Sequence, residues 1–155
     1  PYTTLFRSIT GALAALGLIG ILCAPLAGSF SDRQGPFRMV VFGVILMLLA
    51  WTVFWRWNSI VGMVVGILLL DAGEQCVLIA NQHTIYSLRP DARNRLNTLF
   101  MCVMFIGGAC GSLTATWLWE TTHSWALISS AGGGLVIMGM LIAVKRKYSG
   151  PYSGT

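Results

Sequence analysis

Charged residues are so sparse along this chain of 155 residues that the intervals between them define its elements. Uncharged runs extend from Ser8 to Ser31, Met39 to Trp55, Trp57 to Leu70, Leu96 to Trp119 and Thr121 to Val144. A helix crosses the roughly 30 Å hydrocarbon core of a bilayer with about 20 mostly apolar residues. The third run is too short to span alone, but it continues past Asp71 and Glu74 through Cys76 to Leu88 as one long helix, part of it extending beyond the lipid. The pattern predicts an all-α membrane protein, a bundle of five transmembrane helices near 9–30, 37–55, 60–86, 97–119 and 125–144.

Composition agrees, with 55% hydrophobic residues, 10% charged and a mean hydropathy of +0.73, far from the balance of a soluble domain. Residues 1–8, PYTTLFRS, open on Pro1 and read as a non-native leader, set aside from fold reasoning. Residues 148–155, YSGPYSGT, offer no apolar face to bury and are expected to be disordered. The membrane unit is therefore 9–147.

Lys and Arg in short loops stay on the cytoplasmic side of a membrane. Arg33, Arg38, Arg89, Arg93, Arg95, Lys145, Arg146 and Lys147 fall at one set of ends; Arg56 and the leader's Arg7 fall at the other. The Asp32 turn, the Arg89 to Arg95 turn and the C-terminus are thus expected inside. The net charge of +5 becomes a topology signal suited to anionic lipid, with no need of a nucleic-acid partner. Trp51, Trp55, Trp57, Trp117, Trp119 and Trp125 lie near the opposite ends and read as an interfacial belt.

The third span carries chemistry that lipid does not tolerate by itself. Asp71, Glu74, Gln75, Asn81, Gln82 and His83 interrupt its apolar sequence. At about 100° per residue, Asp71, Glu74, Gln75, Leu78, Asn81, Gln82 and Ile85 share a stripe about 120° wide that must face protein or water. A bare carboxylate near mid-membrane costs at least a few kcal/mol, so it is neutralised or paired. A carboxyl that is neutral in one state and ionised in another carries a proton. Asp71 and Glu74 are the candidate coupling or cavity carboxylates, and Gln75, Gln82 and Asn81 the candidate substrate contacts. A fixed bond to a neighbouring helix is the structural reading of the same groups. His83 points away from the stripe and is not counted as a ligand.

The turn between the first two spans reads LAGSFSDRQGPFRM. With Gly28, Asp32, Arg33, Gly35 and Arg38 in place, it resembles the GxLaDRxGRR loop of major facilitator superfamily transporters, Pro36 and Phe37 standing where the family often has basic residues. The resemblance implies that these five residues form a cytoplasmic gate loop that stabilises one alternating state without binding substrate. The stretches LLLDAGEQ and NQHTIYSLRPDARNRLNTLFMCVMFIGGACGS resemble the C-terminal half of bacterial drug- or sugar-efflux permeases. The chain then represents helices eight to twelve of a twelve-helix transporter, a fragment whose partner is the missing N-terminal half. Implied with this are alternating access by a small-molecule substrate, proton-coupled efflux, the bacterial inner membrane, and a proton gradient as energy source with no cofactor.

Nothing here suggests an enzyme. No phosphate-binding Gly loop, nucleophile elbow or HExxH is present, and His83 and His123 stand forty residues apart. Cys23, Cys76, Cys102 and Cys110 have no metal-ligand spacing. Gly62 with Gly66 and Gly107 with Gly111 have the spacing of close helix contacts, and Pro25 that of a kink. Asn97 and Thr98 are placed to cap the fourth span. The alternative function is a non-transporting membrane scaffold or sensor, in which the polar stripe would bind a partner helix.

Overall fold

A computed structural model of the chain describes residues 35–57, 59–88 and 90–149. Among these residues are four helices long and apolar enough to cross a membrane. They are α1 (Pro36–Arg56), α2 (Ile60–Leu88), α3 (Arg93–Thr122) and α4 (Trp125–Ser149). Their bounds lie within a few residues of the spans predicted at 37–55, 60–86, 97–119 and 125–144. The span expected at 9–30, with Pro25 and Cys23, lies outside the described residues, as does the leader 1–8. α4 continues through Tyr148 and Ser149, two residues into the segment read as a tail, and residues 150–155 are again outside the described part.

The helix ends follow from local chemistry. Gly35 precedes α1 at φ 84° and ψ 153°, a region open essentially to glycine alone, and Pro36 starts the helix where a missing N–H costs nothing. Ser59 caps α2, its hydroxyl accepting the Gly62 N–H at 3.1 Å. A single 3-10 turn, Pro90–Ala92, leads into α3, which therefore begins at Arg93, four residues before the expected start. Asn97 and Thr98 are consequently inside the helix and cap nothing. Thr98 donates back to the Asn94 carbonyl at 3.0 Å, and Asn97 accepts the Tyr86 hydroxyl at 2.6 Å. His123 ends α3 in the left-handed conformation, its N–H bonding the Trp119 carbonyl at 2.9 Å.

Short connections make consecutive helices antiparallel, and α1 is the centre of the packing. It lies most extensively along α2 and secondarily along α4. Met39, Cys76 and Ala80 form a buried cluster between α1 and α2, with Val40 and Ile79 against it. The α1–α2 crossing is made by glycines: a Cβ built on Gly43 would lie 2.7 Å from the Gly73 carbonyl oxygen, and one built on Gly73 would lie 2.7 Å from the Gly43 carbonyl oxygen. Without a hydrophobic force between helices in lipid, such backbone contact is a main source of association. Gly66 receives the Phe54 ring and Gly62 receives Trp57 in the same way. Between α1 and α4, the Trp51 indole packs on Gly132 and meets Phe54 edge-on at 5.6 Å. Trp51 is thus a packing residue, a departure from the expected belt of all six tryptophans.

α3 touches its neighbours little and has no buried residue. Leu99, Val103, Phe105, Ile106 and Leu113 are all more than 60% exposed. Such a surface is what lipid or a further helix solvates. A Cβ on Gly107, Gly108 or Gly111 would meet nothing within 4 Å, so their expected close contacts are not made among the described residues.

Candidate functional site

α2 has 29 residues and is about 43 Å long at 1.5 Å rise per residue, so Asp71 and Glu74 stand close to its midpoint. Its two faces are set by the glycine crossing. The side bearing Gly62, Gly66, Gly73, Cys76 and Ala80 is buried, largely against α1. At about 100° per residue, Asp71 and Gln75 lie about 160° from Gly73, and Gln82 about 180°. These three side chains therefore project from the face opposite α1, where each is half-buried. Glu74 and Asn81 stand about 100° and 80° from Gly73, at the flanks, and both are exposed.

The expected stripe is thereby divided. Asn81 turns toward an open groove of about 790 Å³ between α1, α2 and α4, which it lines with Thr84. Asp71, Glu74, Gln75 and Gln82 are absent from that lining. His83 is exposed and lies off the stripe, as the sequence indicates. Asp71, Glu74, Gln75, Asn81 and Gln82 have no hydrogen bond or ion pair among the described residues. Two carboxyls and three amides thus lie along a membrane-length helix with no hydrogen bond or ion pair to any described residue.

Of the gate-loop residues, Gly28, Asp32 and Arg33 lie outside the described residues. Gly35 forms the tight entry to α1, and Arg38 is exposed in the first turns of that helix. The antiparallel order gathers Arg38, Arg93, Arg95, Lys145 and Lys147 at one end of the bundle. Arg56, Trp55, Trp57, Trp117, Trp119 and Trp125 are at the other. There Trp119 and Trp125 meet edge-on at 6.3 Å, beside a cleft of about 410 Å³ that they line with Phe54, Trp57 and Met63. No cluster of three or more His, Cys, Asp or Glu suited to a metal occurs among the described residues. Cys76, Cys102 and Cys110 form no disulfide among the described residues.

Sequence reasoning missed Gly43, a small residue in the middle of an apolar run, and Gly73, which stands among the polar residues of α2. Gly73 sits between Asp71 and Glu74, so the contact that fixes the helix crossing also fixes the direction of the carboxyls.

Comparison with known proteins agrees with this architecture. The sequence profile of the Major Facilitator Superfamily matches residues 6–153. The chain is 39% identical over 117 residues to the uncharacterized transporter YgaY of Escherichia coli K12, covering 75% of this chain and 29% of that protein. The same values hold for YgaY of Escherichia coli O157:H7. The chain thus spans less than a third of the length of the relatives it matches. No solved structure matches it. With membrane-length helices in antiparallel succession and a family match over nearly its whole length, this chain is a multi-pass membrane protein that belongs to the Major Facilitator Superfamily.

Proposed function

We propose that this chain forms part of a secondary transporter that exports a small molecule, a drug or a sugar, by proton-coupled alternating access, and that Asp71 is its coupling carboxyl. The observation that carries this reading is the pair Asp71 and Glu74 near the midpoint of a membrane-length helix, Asp71 on the face opposite α1 and Glu74 at its flank, neither bonded to any described residue. A carboxyl with no fixed partner at that depth gains or loses a proton as its access to water changes. Gln75 and Gln82 share its face and are the substrate contacts in this reading; Asn81, on the groove side, is a secondary one. In such folds the site lies at mid-membrane between repeats, so the other wall belongs to the remaining part of the polypeptide. The gate is the turn of Gly28, Asp32, Arg33, Gly35 and Arg38. Clustering of the basic residues at one end supports a cytoplasmic position for that turn, for the α2–α3 turn and for the end of α4, in a bacterial inner membrane. The proton gradient supplies the energy, no cofactor takes part, and no covalent step is catalysed.

Flux in everted vesicles carrying the full-length transporter tests this. A panel of drugs and sugars is offered with and without an imposed pH gradient. Accumulation of one compound that collapses when the gradient is dissipated is the expected result; gradient-independent equilibration of every compound contradicts proton coupling.

A further inference from the structure

The groove between α1, α2 and α4 takes neither carboxylate, and its chemistry is graded along its length. One end is formed by Pro36, Phe37 and Lys147, the other by Met47 and Leu135. Phe37 to Met47 is ten residues of α1, about 15 Å, and Leu135 to Lys147 is twelve residues of α4, about 18 Å. That is the depth of a single leaflet, half of a hydrocarbon core of roughly 30 Å. Aliphatic side chains such as Val40, Val44 and Val77 line it, while Asn81 and Thr84 stand in the half nearer Lys147. The exposed Lys147 is held at the mouth by Phe37, its Nζ 4.0 Å from the ring centroid.

We propose that this groove is a binding site for one anionic phospholipid from the leaflet at the basic end of the bundle, with its acyl chain along Val40, Val44 and Met47 and its phosphate at Lys147. An apolar trough one leaflet deep, ending on an ammonium group, complements an acyl chain that ends in a negative headgroup. A zwitterionic headgroup answers Lys147 more weakly. The assignment does not rest on the transport reading and stands or falls separately.

Lipid retention by the purified full-length protein, offered phosphatidylglycerol and phosphatidylcholine of matched chains and read by native mass spectrometry, tests the site. Two variants serve. Lys147→Gln removes the charge. Gly139→Leu fills the groove from α4, where a Cβ meets nothing within 4 Å and the fold is not strained. The parent should retain phosphatidylglycerol roughly fivefold over phosphatidylcholine, the factor expected of one basic residue at an anionic surface. Lys147→Gln should bring the two lipids to parity, and Gly139→Leu should reduce retention of both. Parity in the parent, or an unchanged preference in Lys147→Gln, overturns the proposal. So does a photo-crosslinking side chain at position 139 that captures residues 9–30 or a second copy of the chain in place of lipid.

Discussion

Gly43 and Gly73 bring the backbones of α1 and α2 into contact, a Cβ on either lying 2.7 Å from the carbonyl oxygen of the other. Each new methyl would meet a backbone carbonyl oxygen, which has no rotamer with which to yield, beside side-chain atoms of Val77 or Met47. Ala at either position should therefore separate the helices and cost about 1–3 kcal/mol, the usual range for overpacking. Thermal unfolding in detergent checks this, with Gly107→Ala as control. A Cβ on Gly107 meets nothing within 4 Å, and its effect should stay within about 0.5 kcal/mol.

Trp51 joins α1 to α4 by lying on Gly132. Gly132→Val should push α4 off the indole and destabilise the bundle by about 1–3 kcal/mol. Tryptophan emission should move to the red of the parent's in this variant as Trp51 leaves its packing against Gly132. An unchanged spectrum and unchanged melting temperature would mean that α1 and α4 are held elsewhere.

Gly35 has a backbone conformation, φ 84° and ψ 153°, that other residues enter only under strain of about 1–3 kcal/mol. No side chain is excluded by space, since a Cβ there meets nothing within 4 Å. Gly35→Ala should therefore act through the backbone alone, redirecting the chain into α1. Limited proteolysis of the turn before Pro36 should become faster in this variant, whereas in Pro36→Ala it should stay near the parent rate.

The hydrogen bond from the Tyr86 hydroxyl to Asn97, at 2.6 Å, is a rare polar link between α2 and α3. Interhelical bonds of this type contribute about 0.6 kcal/mol in membranes. Tyr86→Phe should accordingly leave overall stability nearly unchanged while broadening the distance distribution between spin labels on α2 and α3.

The helices were legible in the sequence because lipid demands length with little charge, which the runs 39–55, 96–119 and 121–144 meet outright and the α2 sequence meets despite Asp71 and Glu74. The start of α3 was less legible. Asn97 and Thr98 have the right chemistry for a cap, yet the Pro90–Ala92 turn already bends the chain into helical geometry before them. Trp51 looked interfacial because sequence position reports depth but not direction, and direction is set by Gly132 on another helix. The polar stripe of α2 was legible as a period, and Asp71, Gln75 and Gln82 do share a face. The assignment of Asn81 to the groove side was not, because it depends on where α1 and α4 cross.

Asp71 as the coupling group requires that proton movement and substrate movement separate when its charge is removed. Asp71→Asn in the full-length transporter, assayed in everted vesicles for both uphill accumulation and downhill exchange, tests this most directly. Loss of accumulation with exchange retained is the expected result, since the cavity then still binds and alternates but no longer carries a proton. Accumulation equal to that of the parent would contradict it and return Asp71 to a structural role.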